Sequence, residues 1–179
     1  AGEAFDKTAR LLGFPYPGGK YIDDAAKKGD PKAYDFPRAL PQKSTMDYSF
    51  SGVKTAVALE VEKLKKEKKF EAAIPDLCAS VQEAIIDAIL SKIKIGIREN
   101  RCETLSIVGG VAANSRLRER LSAEWQSYGL KAPPLFPNLK YCTDNAAMIA
   151  AAGAFRFRQG HYLRDEKLLT LNAIAHPEH

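Results

Sequence analysis

The sequence predicts an α/β fold, on three observations. Apolar residues recur at four-residue steps through 70–99, the mark of a long half-buried helix. Short apolar runs stand at "TLSIV" (104–108) and "PPLFP" (133–137), and a helical pattern follows each of them. Helix and strand in alternation imply a layered architecture whose ligands collect where strands end and helices begin. The 179 residues, 45% of them hydrophobic, suffice for one domain with a sizeable core, and no internal repeat or low-complexity tract interrupts them.

In chain order, "EAFDKTARLLG" (3–13) reads as a short helix with Phe5, Ala9 and Leu12 on one face and Gly13 ending it. "FPYPGGK" must then turn, and residues 20–47 read as an irregular connection, rich in Pro, Lys and Asp, leading to a short strand around "MDYSFSG". Ser51 is placed to cap a helix carrying Val53, Val57, Val61 and Leu64 and ending in the lysine run "KLKKEKK". Over 70–99, Leu77, Val81, Ile85, Ile89, Ile93 and Ile97 form an unbroken stripe, expected to lie against a sheet. "TLSIV" reads as a buried strand, "ANSRLRERLSAEWQSYG" as a helix, "PPLFP" as a short strand and "TDNAAMIAAAGAFRFRQG" as an alanine-rich helix, with 165–179 left as a tail.

The net charge of +5 is compatible with a polyanionic partner without requiring one. Three cysteines, Cys78, Cys102 and Cys142, are odd in number and lack CxxC spacing, so neither a disulfide framework nor a cysteine zinc site is expected, and a reducing cytoplasm is. No apolar run is long enough to span a bilayer, and the N-terminal stretch lacks the layout of a signal peptide, so a soluble protein without a membrane partner is expected. The chain begins at Ala1 inside what reads as a helix, so further residues are expected upstream.

Three stretches can carry chemistry. In "SIVGGVAANSRLRERL" (106–121) a strand leaves through Gly109 and Gly110 and places Asn114 at the head of a basic helix. Glycines there either make a tight turn or leave backbone open to a phosphate, ribose or adenine, and Asn114 either caps the helix or meets that ligand. In "YCTDNAAMIAAAG", Asp144 opens a helix; it serves the helix dipole or supplies one hard oxygen ligand to a divalent metal. In "FPYPGG", followed by Asp23, a rigid turn lets backbone approach a ligand; Asp6 on the preceding helix can reach the same space, where carboxylates suit ribose hydroxyls or simply a solvated surface. Arg116, Arg118 and Arg120 lie just beyond the Gly-Gly turn, where an RNA backbone can use them if they do not merely form a solvated helix face. His161, His176 and His179 have no metal-pair spacing, and HExxH, GxSxG and P-loop motifs are absent from the sequence.

Taken in order, "GEAFDK", "YPGG", "DYSFSGVKTA", "VGGVAANSRLR" and "CTDNAAMIAAAG" closely resemble the bacterial tRNA threonylcarbamoyladenosine transferase family, formerly called O-sialoglycoprotein endopeptidase or glycoprotease. The resemblance runs from Ala1 to about Gly160. It implies an actin-like, sugar-kinase and Hsp70-type (ASKHA) fold of two related lobes with nucleotide between them, each a mixed sheet flanked by helices. Residues 1–179 would be the second, C-terminal lobe alone, without the first. Asp6, Gly19, Asp23 and Asn114 would line the pocket for ATP or threonylcarbamoyl-AMP, and Asp144 would bind one divalent metal ion, Fe2+ by the resemblance or Zn2+. The implied reaction moves the threonylcarbamoyl group from its adenylate to the exocyclic amine of adenosine 37 in tRNAs reading codons that begin with A. No side chain stands out as the general base. Implied partners are tRNA, a smaller paralogous subunit (TsaB-like) and a small ATPase (TsaE-like). The family's HxxxH metal motif of the first lobe is absent, so this piece is expected to be inactive by itself, and Lys20 stands where the family usually has proline. The rival expectation is a nucleotide-binding or partner-docking lobe without catalysis; a metalloprotease lacks its motif.

Overall fold

A computed structural model describes residues 1–38 and 46–162. The chain divides into two compact units, Ala1–Thr143 and Asp144–His179. The expected tail over 165–179, with His176 and His179, lies outside the described residues.

The first unit is a packing of helices. Helix α1 (Gly2–Leu11) buries Phe5, Thr8 and Ala9, and the chain turns at Gly13 as expected. Helix α2 (Gly19–Ala26) follows, burying Ile22 and Ala26. Residues 20–26 of the supposed irregular connection are therefore helical: the Gly-Gly and paired aspartates masked an amphipathic turn that tertiary burial stabilises. Close packing of α1 on α2 depends on Gly18, because a Cβ there would lie 2.1 Å from the Ala9 Cβ.

Helix α3 (Ser51–Lys66) buries Val53, Val57, Val61 and Leu64, the four residues the spacing picks out. Ser51 is its first helical residue and Phe50 takes the capping position, so the expected serine cap does not form. Residues 46–50 form no strand. Helix α4 (Phe70–Asn100) has 31 residues and ends at Arg101 in the left-handed conformation. Leu77, Val81 and Ile85 of its stripe are fully buried, Ile97 is buried, and Ile89 and Ile93 are half-buried. Each fully buried aliphatic side chain of this kind contributes about 1.5–3 kcal/mol.

The stripe meets helices rather than a sheet. Phe5, Ile22, Val53, Val57, Leu77, Val81 and Ile85 share one core; Ile86 and Leu90 join Leu117 and Leu121 of helix α5 (Ser115–Glu124) in a second. Half-buried Val111 packs against both. Among the described residues there is no strand, so the expected mixed sheet does not appear there. "TLSIV" and "PPLFP" do meet, in one parallel bridge between Ser106 and Leu135, with Ile107 N–H donating to Leu135 O (3.0 Å) and Leu135 N–H to Leu105 O (2.9 Å). The pairing stops there because Pro133, Pro134 and Pro137 offer no N–H to extend it. Val108 and Leu135 remain 75% and 67% exposed, so no buried face rewards a longer ladder.

The described part of the second unit, residues 144–162, contains helix α6 (Ala146–Arg158), capped by Asn145, whose side chain accepts the Met148 N–H. Every residue of this helix is exposed. No helix among the described residues is long and apolar enough to cross a membrane.

Candidate functional site

Four of the five residues singled out by sequence lie in the first unit, where hydrogen bonds link their surroundings. At the head of α2, Gly18 N–H donates to the half-buried Asp6 Oδ1 (2.7 Å), tying the "YPGG" turn to α1. Gly19 opens α2 immediately after, and a Cβ there would sit 4.0 Å from the Phe5 Cβ, an ordinary contact. One turn further on, Asp23 accepts the Ser115 Oγ–H (2.8 Å) and its backbone N–H (3.2 Å), with 13% of its side chain exposed. Ser115 begins α5, so Asp23 serves the N-terminus of a second helix from across the fold, where a carboxylate complements the helix dipole.

Asn114 caps α5: its Oδ1 accepts Leu117 N–H (2.9 Å), while its Nδ2 donates to Gln82 Oε1 (2.7 Å) on α4. Before it, Gly110–Ala113 form a single 3-10 turn entered through Gly109, whose φ of 88° and ψ of 177° suit glycine alone. Open space lies where Gly109 and Gly110 would carry a Cβ. The turn also lies beside α1, since the position a Cβ on Gly2 would occupy is 3.8 Å from the Val111 side chain. The "GEAFDK", "YPGG" and "VGGVAANS" segments, up to more than 90 residues apart in sequence, thus converge through α1, α2 and the head of α5.

Such a wall suits a small polar ligand. Ionised carboxylates accept through several lone pairs, so Asp6 and Asp23 retain capacity for hydroxyl donors beyond the bonds they make, and the open Gly109–Gly110 backbone lets a ligand come close. A cleft of about 240 Å³ lies alongside, lined by Lys27, Gln82, Glu83, Ser115, Arg116 and Glu119, and includes none of the four residues. Arg116 there is already paired with Glu83 and Glu119, and Lys27 with Asp24 outside the cleft, so the Gly-Gly and α2 side is the better candidate for a ligand wall.

The arginines of α5 face inward to protein partners. Arg116 pairs with Glu83 (2.8 Å) and Glu119 (2.9 Å); Arg120 pairs with Glu83 (2.5 Å), Asp87 (3.0 Å) and Glu124. Arg118 donates to the carbonyls of Ala112 (2.6 Å) and Pro137 (2.8 Å) and lies over the Phe136 ring. Acids four residues apart on α4 thus meet arginines four apart on α5. Burial pushes the Glu83 carboxyl up, but hydrogen bonds and charge from Arg116 and Arg120 outweigh it and hold it below the usual glutamate range. Arg116 is raised, chiefly by its bond to Glu83. The Glu124 carboxyl is lowered, chiefly by Arg120, and burial raises the Tyr128 hydroxyl that donates to it (2.7 Å). Burial also pushes the Cys78 thiol up to about 12, which removes it as a nucleophile at neutral pH.

Asp144 begins the second unit. It is exposed, and because Asn145 fills the capping role, the helix does not require the Asp144 carboxylate for that purpose. No group of three His, Cys, Asp or Glu among the described residues could hold a metal ion. A single exposed carboxylate fits a divalent ion as one hard oxygen donor, the remaining ligands coming from elsewhere. Sequence reasoning passed over Gly18, Ser115 and Gln82. Gln82 was legible as the lone amide on an otherwise apolar helix face, and Ser115 as the neighbour of a capping asparagine; the Gly18 contact depends on how α1 crosses α2.

A sequence profile of the family described as tRNA N6-adenosine threonylcarbamoyltransferase (TsaD) matches residues 1–151. The tRNA N6-adenosine threonylcarbamoyltransferase of Fervidobacterium nodosum is 48% identical over 161 residues, covering 89% of this chain and 47% of that relative. The protein of the same name from Thermotoga neapolitana is 48% identical over 160 residues, again 89% of this chain and 47% of the relative. That from Carboxydothermus hydrogenoformans is 46% identical over 177 residues, 99% of this chain and 49% of the relative. The chain spans about half the length of the curated relatives it matches. With most of its length under the family profile and nearly half its residues shared with these relatives, the chain belongs to the tRNA N6-adenosine threonylcarbamoyltransferase family.

Proposed function

We propose that this chain is the second lobe of an ASKHA-type enzyme that transfers the threonylcarbamoyl group from threonylcarbamoyl-AMP to adenosine 37 of tRNAs reading codons that begin with A, in the cytoplasm. The observation that carries this reading is the hydrogen-bonded wall joining Asp6, Gly18–Gly19, Asp23 and Asn114–Ser115. In it, Asp6 and Asp23 accept from ligand hydroxyls, the Gly109–Gly110 backbone leaves space for the AMP moiety, and Asn114 presents its amide. The exocyclic amine attacks the carbamoyl carbon; a C–N bond forms, the bond to the phosphate oxygen breaks, AMP leaves with the electron pair, and the amine proton passes to solvent. This chain's contribution is binding and orientation, which turn an encounter into a positioned reaction. Asp144 would hold one divalent ion, Fe2+ or Zn2+, which when bound supplies polarisation of carbonyl and phosphate oxygens. Partners on this reading are tRNA, a smaller paralogous subunit and a small ATPase.

Because the chain covers about half of each relative, turnover on this reading needs the other half as well. Unmodified tRNA and threonylcarbamoyl-AMP are incubated with the chain alone, and with the chain fused behind the preceding half of the Carboxydothermus relative; digested tRNA is then analysed for the modified nucleoside. Product from the fusion only is expected. Product from the chain alone overturns the two-half reading, and a folded fusion that binds AMP without forming product favours the second reading, a nucleotide-binding or partner-docking lobe without catalysis.

A further inference from the structure

We infer that Gln82 is a positioning residue for this pocket: it fixes the direction in which the Asn114 amide faces. The inference rests on the reading of Asn114 as part of an adenylate pocket. Gln82 is 5% exposed on the face of α4 where Cys78, Ala79, Ile85 and Ile86 are all buried. A methionine would fill that space without polar atoms, so an amide there must find a partner. Its Oε1 accepts from Asn114 Nδ2 at 2.7 Å, and Asn114 is itself 8% exposed.

The cap holds the oxygen of Asn114, which accepts Leu117 N–H, and because the amide is planar this already favours one of its two orientations. Gln82 adds a second restraint, on the nitrogen. Turning the amide over would set Nδ2 against the Leu117 N–H, donor against donor, and Oδ1 against Gln82 Oε1, acceptor against acceptor. With both ends held, one orientation survives. An asparagine amide has two N–H donors and an oxygen with two lone pairs, so one donor and one lone pair remain for a ligand. That pairing complements a hydroxyl, which accepts and donates at once, as on the ribose of an adenylate. A phosphate oxygen, which only accepts, uses half of it. Gln82 thereby reaches the ligand through Asn114 without touching it.

Two variants separate positioning from packing. Gln82→Met keeps the length and removes the acceptor; Gln82→Glu keeps an oxygen acceptor in the same place. NMR of the full 15N-labelled chain follows the Asn114 side-chain amide protons, and titration with AMP measures affinity. In the parent chain one Asn114 amide proton is expected to exchange with solvent about tenfold more slowly than its geminal partner, as one buried hydrogen bond implies. Gln82→Met is expected to abolish that difference and weaken AMP binding roughly tenfold, the equivalent of one hydrogen bond. Gln82→Glu is expected to retain both. Unchanged Asn114 signals in Gln82→Met overturn the inference, as does equal loss of affinity in both variants. If the parent chain and Asn114→Ala bind AMP alike, the pocket reading has failed instead, and the amide signals alone then decide whether Gln82 orients Asn114.

Discussion

Helices α4 and α6 are both rich in apolar residues, yet they stand in opposite environments. On α4, Leu77, Val81 and Ile85 are fully buried in one core, and Ile86 and Leu90 are buried in a second. On α6, Met148, Ile149, Phe155 and Phe157 are all exposed, and no residue of the helix is buried. Apolar content therefore does not by itself make a core. On α4 the large residues recur at four-residue steps and meet α2, α3 and α5, whereas α6 is apolar around most of its circumference and small-faced between its large residues. The stability of the chain should accordingly reside in α4 and its neighbours.

The largest expected effect is in that core. Leu77→Ala or Ile85→Ala should cost about 2–5 kcal/mol, read as a lowered urea midpoint with unchanged slope. A loss below about 1 kcal/mol would break the contrast with α6. Next comes the join between α4 and α5: Asn114→Ala removes a helix cap and strands Gln82, and should cost about 1–2 kcal/mol in the same measurement. A smaller effect is expected from the Glu83 pairing with Arg116 and Arg120. The Glu83 carboxyl is lowered in the folded chain, so its contribution is fully present above the ordinary glutamate range and fades as pH falls through the lower folded value. Glu83→Gln should therefore flatten the fall of the unfolding midpoint across the acid range, and a curve parallel to that of the parent would count against the network. The smallest effect is on α6, where Ile149→Ala and Phe155→Ala should stay within about 0.5 kcal/mol of the parent.

Much of this was readable in the residues. The stripe from Leu77 to Ile97 marks all of α4 but its first two turns, and Asn114 ahead of "SRLRERL" marks a capped helix start. Asp6 was legible as a neighbour of the "YPGG" turn because it stands on the short helix that precedes the turn, and the hydrogen bond to Gly18 joins them. Helix α2 was not, since its glycines and aspartates have weak helical preference and burial of Ile22 and Ala26 decides the matter. The strands were misread for a related reason: apolar runs such as "TLSIV" signal burial, but a ladder also needs donors opposite, and the prolines around Leu135 withhold them. The inward turn of Arg116 and Arg120 required knowing that α5 lies along the Glu83–Asp87 edge of α4; from the sequence alone they look equally suited to solvent or RNA.

The most direct test of the wall built from α1, α2 and the head of α5 is an AMP titration of the 15N-labelled chain, recorded residue by residue. Saturable shifts concentrated at Asp6, Gly18–Asp23 and Gly109–Ser115, and weakened by Asp6→Asn, are the expected result. Shifts confined to the Lys27, Glu83 and Glu119 cleft, or no saturable shift at all, would contradict it.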